Sequence, residues 1–177
     1  MKKKITKFKG LIIYKKKLNR DKRGYLKELQ NNRFIKFKTA LTYISFSKKN
    51  TLRGLHFQTK FQQKKIISVI KGEILDVCVD LRKKSKTFGK YFFLKLSEKN
   101  NISLLIPKGF AHGFCVLSNN AIMHYQCSEK RYQKYEKSLN WSDEDLKIKW
   151  PKKRFILSNR DKSGISFKKF KNEIITL

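Results

Sequence analysis

The chain has 177 residues, 40% of them hydrophobic and fourteen of them phenylalanine, which is enough to fill the core of one domain. No window approaches the roughly eighteen consecutive apolar residues of a transmembrane helix, so no membrane partner is predicted. The net charge of +31 suggests a polyanionic ligand: nucleic acid, anionic lipid or a phosphorylated small molecule. Because the lysines are scattered through nearly every loop, beside no nucleic-acid-binding motif, specific nucleic-acid binding is not predicted.

The N-terminus and the cysteines both indicate a cytoplasmic protein. Met1–Lys4 has the positive charge of a signal peptide, but the apolar run Leu11–Tyr14 is too short to complete one. Cys78, Cys115 and Cys127 show no CxxC spacing and lie in apolar, strand-like segments. An odd number of cysteines in such surroundings predicts small buried hydrophobic side chains in a reducing compartment.

Most of the chain has the pattern of short β-strands separated by turns. β-branched and aromatic residues are enriched in these segments, which alternate with Gly, Pro, Asn and Lys clusters. Short helices are predicted only at Tyr132–Lys137 and Asp143–Leu146. The predicted strands are Tyr43–Ser47, Thr51–Gln58, Ile66–Ile70, Ile74–Leu81, Tyr91–Ser97, Ile102–Ile106, His112–Leu117 and Ala121–Cys127.

Within this series, Ile66–Ile70 and Ile74–Leu81 are predicted to form a hairpin around Lys71-Gly72-Glu73. The second arm alternates strictly between an apolar face and a mixed face. The mixed face carries Asp76 and Cys78.

These patterns predict an all-β protein, a sandwich or barrel with short helices near the C-terminus. There is no internal repeat, linker or composition boundary, so residues 1–177 are predicted to form a single domain. The ends, about 1–40 and 150–177, are more irregular and more basic. They are expected to be arms that cover the barrel or pair with another subunit.

The most informative stretch is Leu52–Gln58, which places a guanidinium and an imidazole three residues apart around a glycine. Arginine binds phosphate through paired hydrogen bonds, and histidine transfers protons near neutral pH. Strict alternation would put Arg53 and His56 on opposite faces of the strand. Either Gly54 lies in a bulge, or Arg53 reaches the phosphates from the rim.

The other candidate residues are less distinctive by themselves. His112 follows a Pro-Lys-Gly turn, and His124 lies in a strand, but no HxH pair occurs and no carboxylate is close to His56 in sequence. A metal site is therefore not predicted. Tyr125 is a possible general acid and equally a core aromatic residue, whereas Asp161 has the local sequence of an ordinary turn aspartate.

Several long motifs, in order from about Arg23 to Gly164, resemble one family. The most specific are LRGLHFQ at 52–58, GEILDVCVDLR at 72–82 and IPKGFAHGFCVLS at 106–118. They are similar to the dTDP-4-dehydrorhamnose 3,5-epimerases. The resemblance implies a jelly-roll cupin, usually a homodimer, that works in the cytoplasm without a metal or redox cofactor on a dTDP-linked 4-keto sugar.

The resemblance also implies a role for individual residues. His56 matches the catalytic base, Asp161 its carboxylate partner, Tyr125 the general acid and Lys65 a lysine near the C4 oxygen of the sugar. Further positions match contacts to the nucleotide, the diphosphate or the sugar: Arg23, Glu28, Arg53, His112, Tyr132, Glu136 and Arg160.

Three local departures from the family pattern concern the nucleotide more than the proton chemistry. A Gln-x-Asn-His-Ser-like stretch is replaced by Leu41–Ser45, which removes two polar contacts. A base-stacking tyrosine is replaced by Arg131 or shifted to Tyr132. The loop before Lys65 is about one residue shorter and lacks a proline.

Two other functions stay open at this level. One is epimerisation of a single centre, or of a sugar carried by another nucleotide. The other is a non-catalytic basic β-barrel that binds polyanions. Related sugar-nucleotide ketoisomerases tend to carry a second histidine two residues after the first, and Gln58 at that position disfavours them.

Overall fold

The computed structural model of the chain describes residues 1–31, 33–152 and 154–173. Within these ranges the chain is built mainly of β-strands. The strands are β1 (Lys2–Ile5), β2 (Ile12–Lys15), β3 (Leu18–Asp21), β4 (Gly24–Lys27), β5 (Leu41–Lys48), β6 (Leu52–Gln58), β7 (Lys65–Lys71), β8 (Glu73–Asp80), β9 (Tyr91–Ser97), β10 (Ile102–Ile106), β11 (Phe110–Val116), β12 (Asn120–Cys127) and β13 (Glu136–Ser138). The helices are a 3-10 turn (Gln133–Tyr135), α1 (Asn159–Lys162) and α2 (Phe167–Glu173).

The strands form two antiparallel sheets and a separate hairpin. The order is β1-β2-β10-β7-β12-β5 in the six-stranded sheet and β13-β6-β11-β8-β9 in the five-stranded sheet, with β3 and β4 as the hairpin. The chain passes repeatedly from one sheet to the other, as in a jelly roll. The predicted all-β class, with short helices near the C-terminus, is confirmed.

The largest core cluster joins the two sheets. Ile67 and Met123 come from the six-stranded sheet, and Cys78 and Phe114 come from the five-stranded sheet. All of them are almost completely buried. The three cysteines are buried and free, as the composition predicted.

The predicted hairpin at Lys71-Gly72-Glu73 is wrong. β7 pairs with β10 and β12, whereas β8 pairs with β9 and β11, so the chain changes sheets here. Gly72 has a φ of +79°, and a Cβ at this position would lie 2.1 Å from the carbonyl oxygen of Asn120. Only glycine allows this close approach.

The predicted helices also need correction. Of Tyr132–Lys137, only Gln133–Tyr135 is helical, as a single 3-10 turn that leads directly into β13. The segment around Asp143–Leu146 forms turns, because the Asp143 carboxylate accepts from the backbone at 145, 146 and 167 and holds the chain there.

Both ends of the chain pack on the sandwich. β1 and β2 extend the six-stranded sheet, and α2 buries Phe167 and Phe170 in a second core cluster. Phe170 meets Phe57 of β6 edge-to-face, with 5.6 Å between ring centroids. No helix of the described ranges is long and apolar enough to span a membrane.

Candidate active site

A cavity of about 480 Å³ opens into the sandwich. Residues from both sheets line it: His56 from β6, Lys65 from β7 and Tyr125 from β12 are all part of its wall. The full lining is Leu41, Tyr43, Ser45, Arg53, His56, Gln63, Lys65, His112, Gly113, Phe114, Tyr125, Arg131, Glu136 and Arg160.

A bulge in β6 brings Arg53 and His56 to the same cavity. His56 pairs with His112 and Arg53 with Phe114, so three steps along β6 face two steps along β11. At Gly54 (φ +120°) a Cβ would lie 2.5 Å from the Cα of Gly113. The side chain must therefore be absent where the two strands approach. Of the two arrangements left open by the sequence, the structure has the bulge.

His56 forms a short hydrogen bond with a buried carboxylate. Its Nε2 lies 2.5 Å from Oδ1 of Asp161, a residue only 3% exposed at the third position of α1. The hydroxyl of Ser158 donates to Oδ2 at 2.8 Å, and the Gly54 N–H donates to Oδ1 at 3.3 Å. Because Nε2 faces the carboxylate, Nδ1 is the imidazole nitrogen left to accept a proton.

The electrostatics of this pair favour neutral His56 beside ionised Asp161. Burial lowers the pKa of His56, with the charges of Arg160 and Lys65 adding to this effect, and Asp161 opposes it only in part. Burial disfavours ionisation of Asp161, but hydrogen bonds from His56, Ser158 and Gly54 hold its pKa below the usual value. A neutral imidazole with a fixed orientation is suited to act as a general base.

A second imidazole–carboxylate pair lies next to the first. His112 Nε2 is 2.7 Å from Oδ2 of Asp76, and the thiol of Cys78 lies 3.6 Å from the other oxygen of Asp76. Sequence analysis did not single out Asp76, although its place on the mixed face of β8 was the available signal. The three ligand atoms lie within 4.8 Å of one another, a donor set that suits a thiophilic metal ion.

Lys65 and Tyr125 complete the potential proton-transfer groups. Burial lowers the pKa of Lys65, opposed by Cys127 and Glu136. Burial raises the pKa of Tyr125, opposed by its Ser45 hydrogen bond, so the phenol stays protonated at neutral pH. An ammonium group and a protonated phenol are both able to donate to a basic centre in the cavity.

A cluster of ion pairs forms part of the rim. Oε2 of Glu136 accepts from Arg131 at 2.9 Å and from Arg160 at 2.7 Å. Two guanidinium groups share one carboxylate, which leaves an excess positive charge beside the cavity. Arg131, noted in the sequence only as a departure from the family pattern, is therefore part of this wall.

Three of the expected substrate contacts do not line the cavity of this chain. Arg23 is exposed in the β3–β4 hairpin and pairs with Asp21 at 2.7 Å. Glu28 lies just after β4, and Tyr132 packs on Phe61 with 4.8 Å between ring centroids. His124 also lies outside the lining.

Comparison with known proteins gives a consistent family. Residues 5–169 match the profile described as dTDP-4-dehydrorhamnose 3,5-epimerase. A protein of that name from Methanothermobacter thermautotrophicus is 38% identical over 166 residues, which is 89% of this chain and 90% of the relative.

Solved structures agree. The dTDP-6-deoxy-D-glucose-3,5-epimerase of Legionella pneumophila, crystallised with dTDP-4-keto-L-rhamnose, has a TM-score of 0.93 and 35% identity, covering 99% of this chain and 97% of the other. A 3'-monoepimerase from Streptomyces bikiniensis, in complex with dTDP-quinovose, has a TM-score of 0.89 and 26% identity, covering 94% and 88%. The chain belongs to the dTDP-4-dehydrorhamnose 3,5-epimerase family.

Proposed function

We propose that this protein is an isomerase that inverts C3 and C5 of dTDP-4-dehydro-6-deoxyglucose to form dTDP-4-dehydrorhamnose, in the biosynthesis of dTDP-rhamnose. The observation that carries the proposal is the His56–Asp161 pair, which lies in one cavity with Lys65 and Tyr125. The cavity thus holds a base, two proton donors and several phosphate-binding cations.

The ketone at C4 makes the C–H bonds at C3 and C5 acidic. His56 removes one of these protons through Nδ1, and Asp161 stabilises the imidazolium that forms. The electron pair left at carbon moves into the ring, so that the negative charge rests on the C4 oxygen. Lys65 stabilises this enolate, because an ammonium group in a desolvated cavity acts strongly on a developing oxyanion.

Inversion requires that the proton return to the other face of the carbon. Tyr125 belongs to the six-stranded sheet, whereas His56 belongs to the five-stranded sheet. Two groups from different sheets are suited to reach the substrate from different sides. Tyr125 donates its phenolic proton to the enolate carbon, and the centre is inverted. No step changes the oxidation state, so the proposed reaction uses no redox cofactor.

The cationic groups of the wall bind the diphosphate and the sugar. Arg53 keeps its guanidinium at the cavity with hydrogen bonds to Ser47 Oγ at 2.9 Å and to the Phe46 carbonyl at 3.1 Å. Arg160 and His112 also line the wall, and Glu136 holds Arg160 in place. Arginine is suited to this role because its planar fork matches phosphate oxygens.

We also propose a homodimer. β5 is an edge strand of the six-stranded sheet and exposes Ile44 and Phe46 at 64% and 56%. The β3–β4 hairpin exposes Leu26 at 70%. Exposed apolar edge strands favour pairing with another chain. Such pairing would let Arg23 of the partner subunit, Glu28 of the partner subunit and a shifted Tyr132 contact the nucleotide.

A cytoplasmic location is part of the same proposal. The three free thiols support a reducing compartment. Sedimentation or light scattering of the purified protein tests the dimer directly, and a monomer at micromolar concentration would contradict it.

Solvent deuterium tests the proposed reaction. The enzyme is incubated in D₂O with dTDP-4-dehydro-6-deoxyglucose, and incorporation at C3 and C5 is followed by NMR. Both positions are expected to exchange, and product with both centres inverted is expected to accumulate. Incorporation at C3 alone would favour a single-centre epimerase, like the Streptomyces bikiniensis relative. No incorporation, with tight nucleotide binding, would indicate a binding protein.

A further inference from the structure

Tyr43 is stacked face to face on Tyr125. The two residues are cross-strand partners on β5 and β12, their ring centroids are 4.6 Å apart, and their planes differ by 15°. The imidazole of His112 meets the Tyr125 ring edge-on, with centroids 6.4 Å apart. Two rings on two different sheets therefore contact the Tyr125 ring.

The hydroxyl of Tyr125, by contrast, is held only weakly. Its partners are the Ser45 hydroxyl at 3.5 Å and the Met123 sulfur at 3.6 Å, both at the long end of the range for a hydrogen bond. The direction of the phenol is therefore set by packing of the ring more than by its hydrogen bonds. Of the two aromatic contacts, the Tyr43 stack is the closer.

We propose that Tyr43 is a positioning residue, which holds Tyr125 in the orientation needed to return a proton to the substrate. This inference rests on the proposed epimerase reaction. A proton donor has to lie within hydrogen-bond reach of the carbon it protonates, and a displacement of about 1 Å costs as much as a hundredfold in rate. Tyr43 would then control inversion without taking part in proton removal.

The geometry separates these two steps. Tyr43 stacks on Tyr125, whereas the His56–Asp161 pair is held by Ser158 and Gly54 on the other sheet. Loss of the Tyr43 ring should therefore leave enolate formation almost intact. Because Tyr43 is 38% exposed, its truncation should also leave the core folded.

Tyr43 also lines the cavity, so its rival role is to stack directly on the substrate. The two roles give different kinetics. Direct stacking contributes to binding of the ground state and the transition state alike, so its loss raises KM. Positioning of Tyr125 affects only the step in which the proton returns, so its loss lowers the rate of inversion relative to the rate of exchange.

The test compares Tyr43→Ala, Tyr43→Phe and a matched control, Phe93→Ala. Phe93 is an exposed aromatic residue on β9, the edge strand of the other sheet, outside the cavity lining. For each full-length variant, deuterium incorporation and inverted product at C3 and C5 are measured separately by NMR, together with KM and the melting temperature.

For Tyr43→Ala we expect inversion to fall at least tenfold relative to exchange, with KM changed less than threefold. Tyr43→Phe keeps the stacked ring and should restore the wild-type ratio, and Phe93→Ala should match wild type. An unchanged ratio in Tyr43→Ala, with or without a raised KM, overturns the positioning role. If exchange and inversion fall equally in a folded Tyr43→Ala protein, the inference is likewise wrong.

The outcome for wild type is separate from these results. Wild-type protein that exchanges no solvent deuterium into the 4-keto sugar contradicts the proposed function itself. Wild-type protein that exchanges and inverts, with a Tyr43→Ala ratio unchanged, contradicts only the role of Tyr43.

Discussion

Two buried aspartates in the five-stranded half of the molecule show how similar local chemistry serves different ends. Asp80, at the end of β8, is completely buried and accepts five hydrogen bonds, three from Arg82 and one each from Ser85 and Thr87. Asp161 is 3% exposed and accepts three, from His56, Ser158 and Gly54.

The difference lies in the cationic partner and in what that partner contacts. Arg82 is permanently charged and packs on the Phe110 ring, 4.6 Å from its centroid, outside the cavity lining. His56 can gain and lose a proton and lines the cavity. A saturated carboxylate with a permanent cation stabilises the fold, whereas one with a titratable partner at a cavity is suited to catalysis.

The largest expected effect is on the catalytic side of this comparison. His56→Ala removes the proposed base, so deuterium incorporation at both C3 and C5 should fall by about a hundred- to ten-thousandfold. His124→Ala is the matched control, because His124 lies outside the cavity lining and bonds Thr42. Near-normal exchange in folded His56→Ala protein would mean that His56 is structural.

The two aspartates can be compared directly as asparagine variants. Asp80→Asn should lower the free energy of unfolding by about 3 kcal/mol or more, because an amide cannot accept five hydrogen bonds and leaves Arg82 without its counter-charge. Asp161→Asn should cost only about 1–2 kcal/mol, since fewer hydrogen bonds are lost. Its turnover should fall by about a hundredfold, because the imidazolium loses its counter-charge.

Chemical denaturation and turnover per folded molecule measure both quantities. The comparison fails if Asp80→Asn is slow but stable, or if Asp161→Asn is unstable but fully active.

Tyr125→Phe tests whether the acid and the base act separately. The ring and its stack on Tyr43 remain, and only the hydroxyl is lost. Deuterium should still enter the substrate from the face of His56, whereas inverted product should fall at least tenfold. Unchanged inversion would show that Tyr125 is only a core aromatic residue. Loss of exchange as well as inversion would show that the two steps are not divided between these residues.

The pH dependence should report the neutral imidazole. Because the pKa of His56 is lowered, the base form persists below the ordinary value of 6.5, and the acidic limb of kcat/KM should have its midpoint below pH 6.5. The alkaline limb should belong to Lys65, with a midpoint below 10.5, because the pKa of Tyr125 is raised above 10.0. An acidic midpoint above 6.5 would contradict a neutral His56.

The smallest expected effect is that of metal removal. Extensive chelation should leave activity unchanged, because Lys65 is the proposed stabiliser of the enolate. The cluster of Asp76, Cys78 and His112 makes this a necessary test, since its donors suit zinc. Activity lost on chelation and restored by zinc would contradict the mechanism, and loss of that zinc response in Cys78→Ala would assign the metal to this cluster.

Much of the fold could be predicted from local patterns. The strands Tyr91–Ser97 and Ile102–Ile106 were predicted with the bounds that the structure has, because alternating apolar residues and flanking turn residues act over a few positions. Lys71-Gly72-Glu73 failed for the opposite reason. A glycine between two strands is compatible with a hairpin and with a change of sheet, and only the close approach of Asn120 distinguishes them.

The candidate site divides in the same way. By itself, the sequence determined that Arg53 and His56 are the chemically distinctive residues, since their side chains and spacing are local properties. Only the tertiary structure decided that a bulge at Gly54 turns both toward one cavity, and that Asp161, 105 positions from His56, is its partner. Strand periodicity is written in neighbouring residues, whereas contacts between distant segments depend on how two sheets pack and where the chain crosses between them.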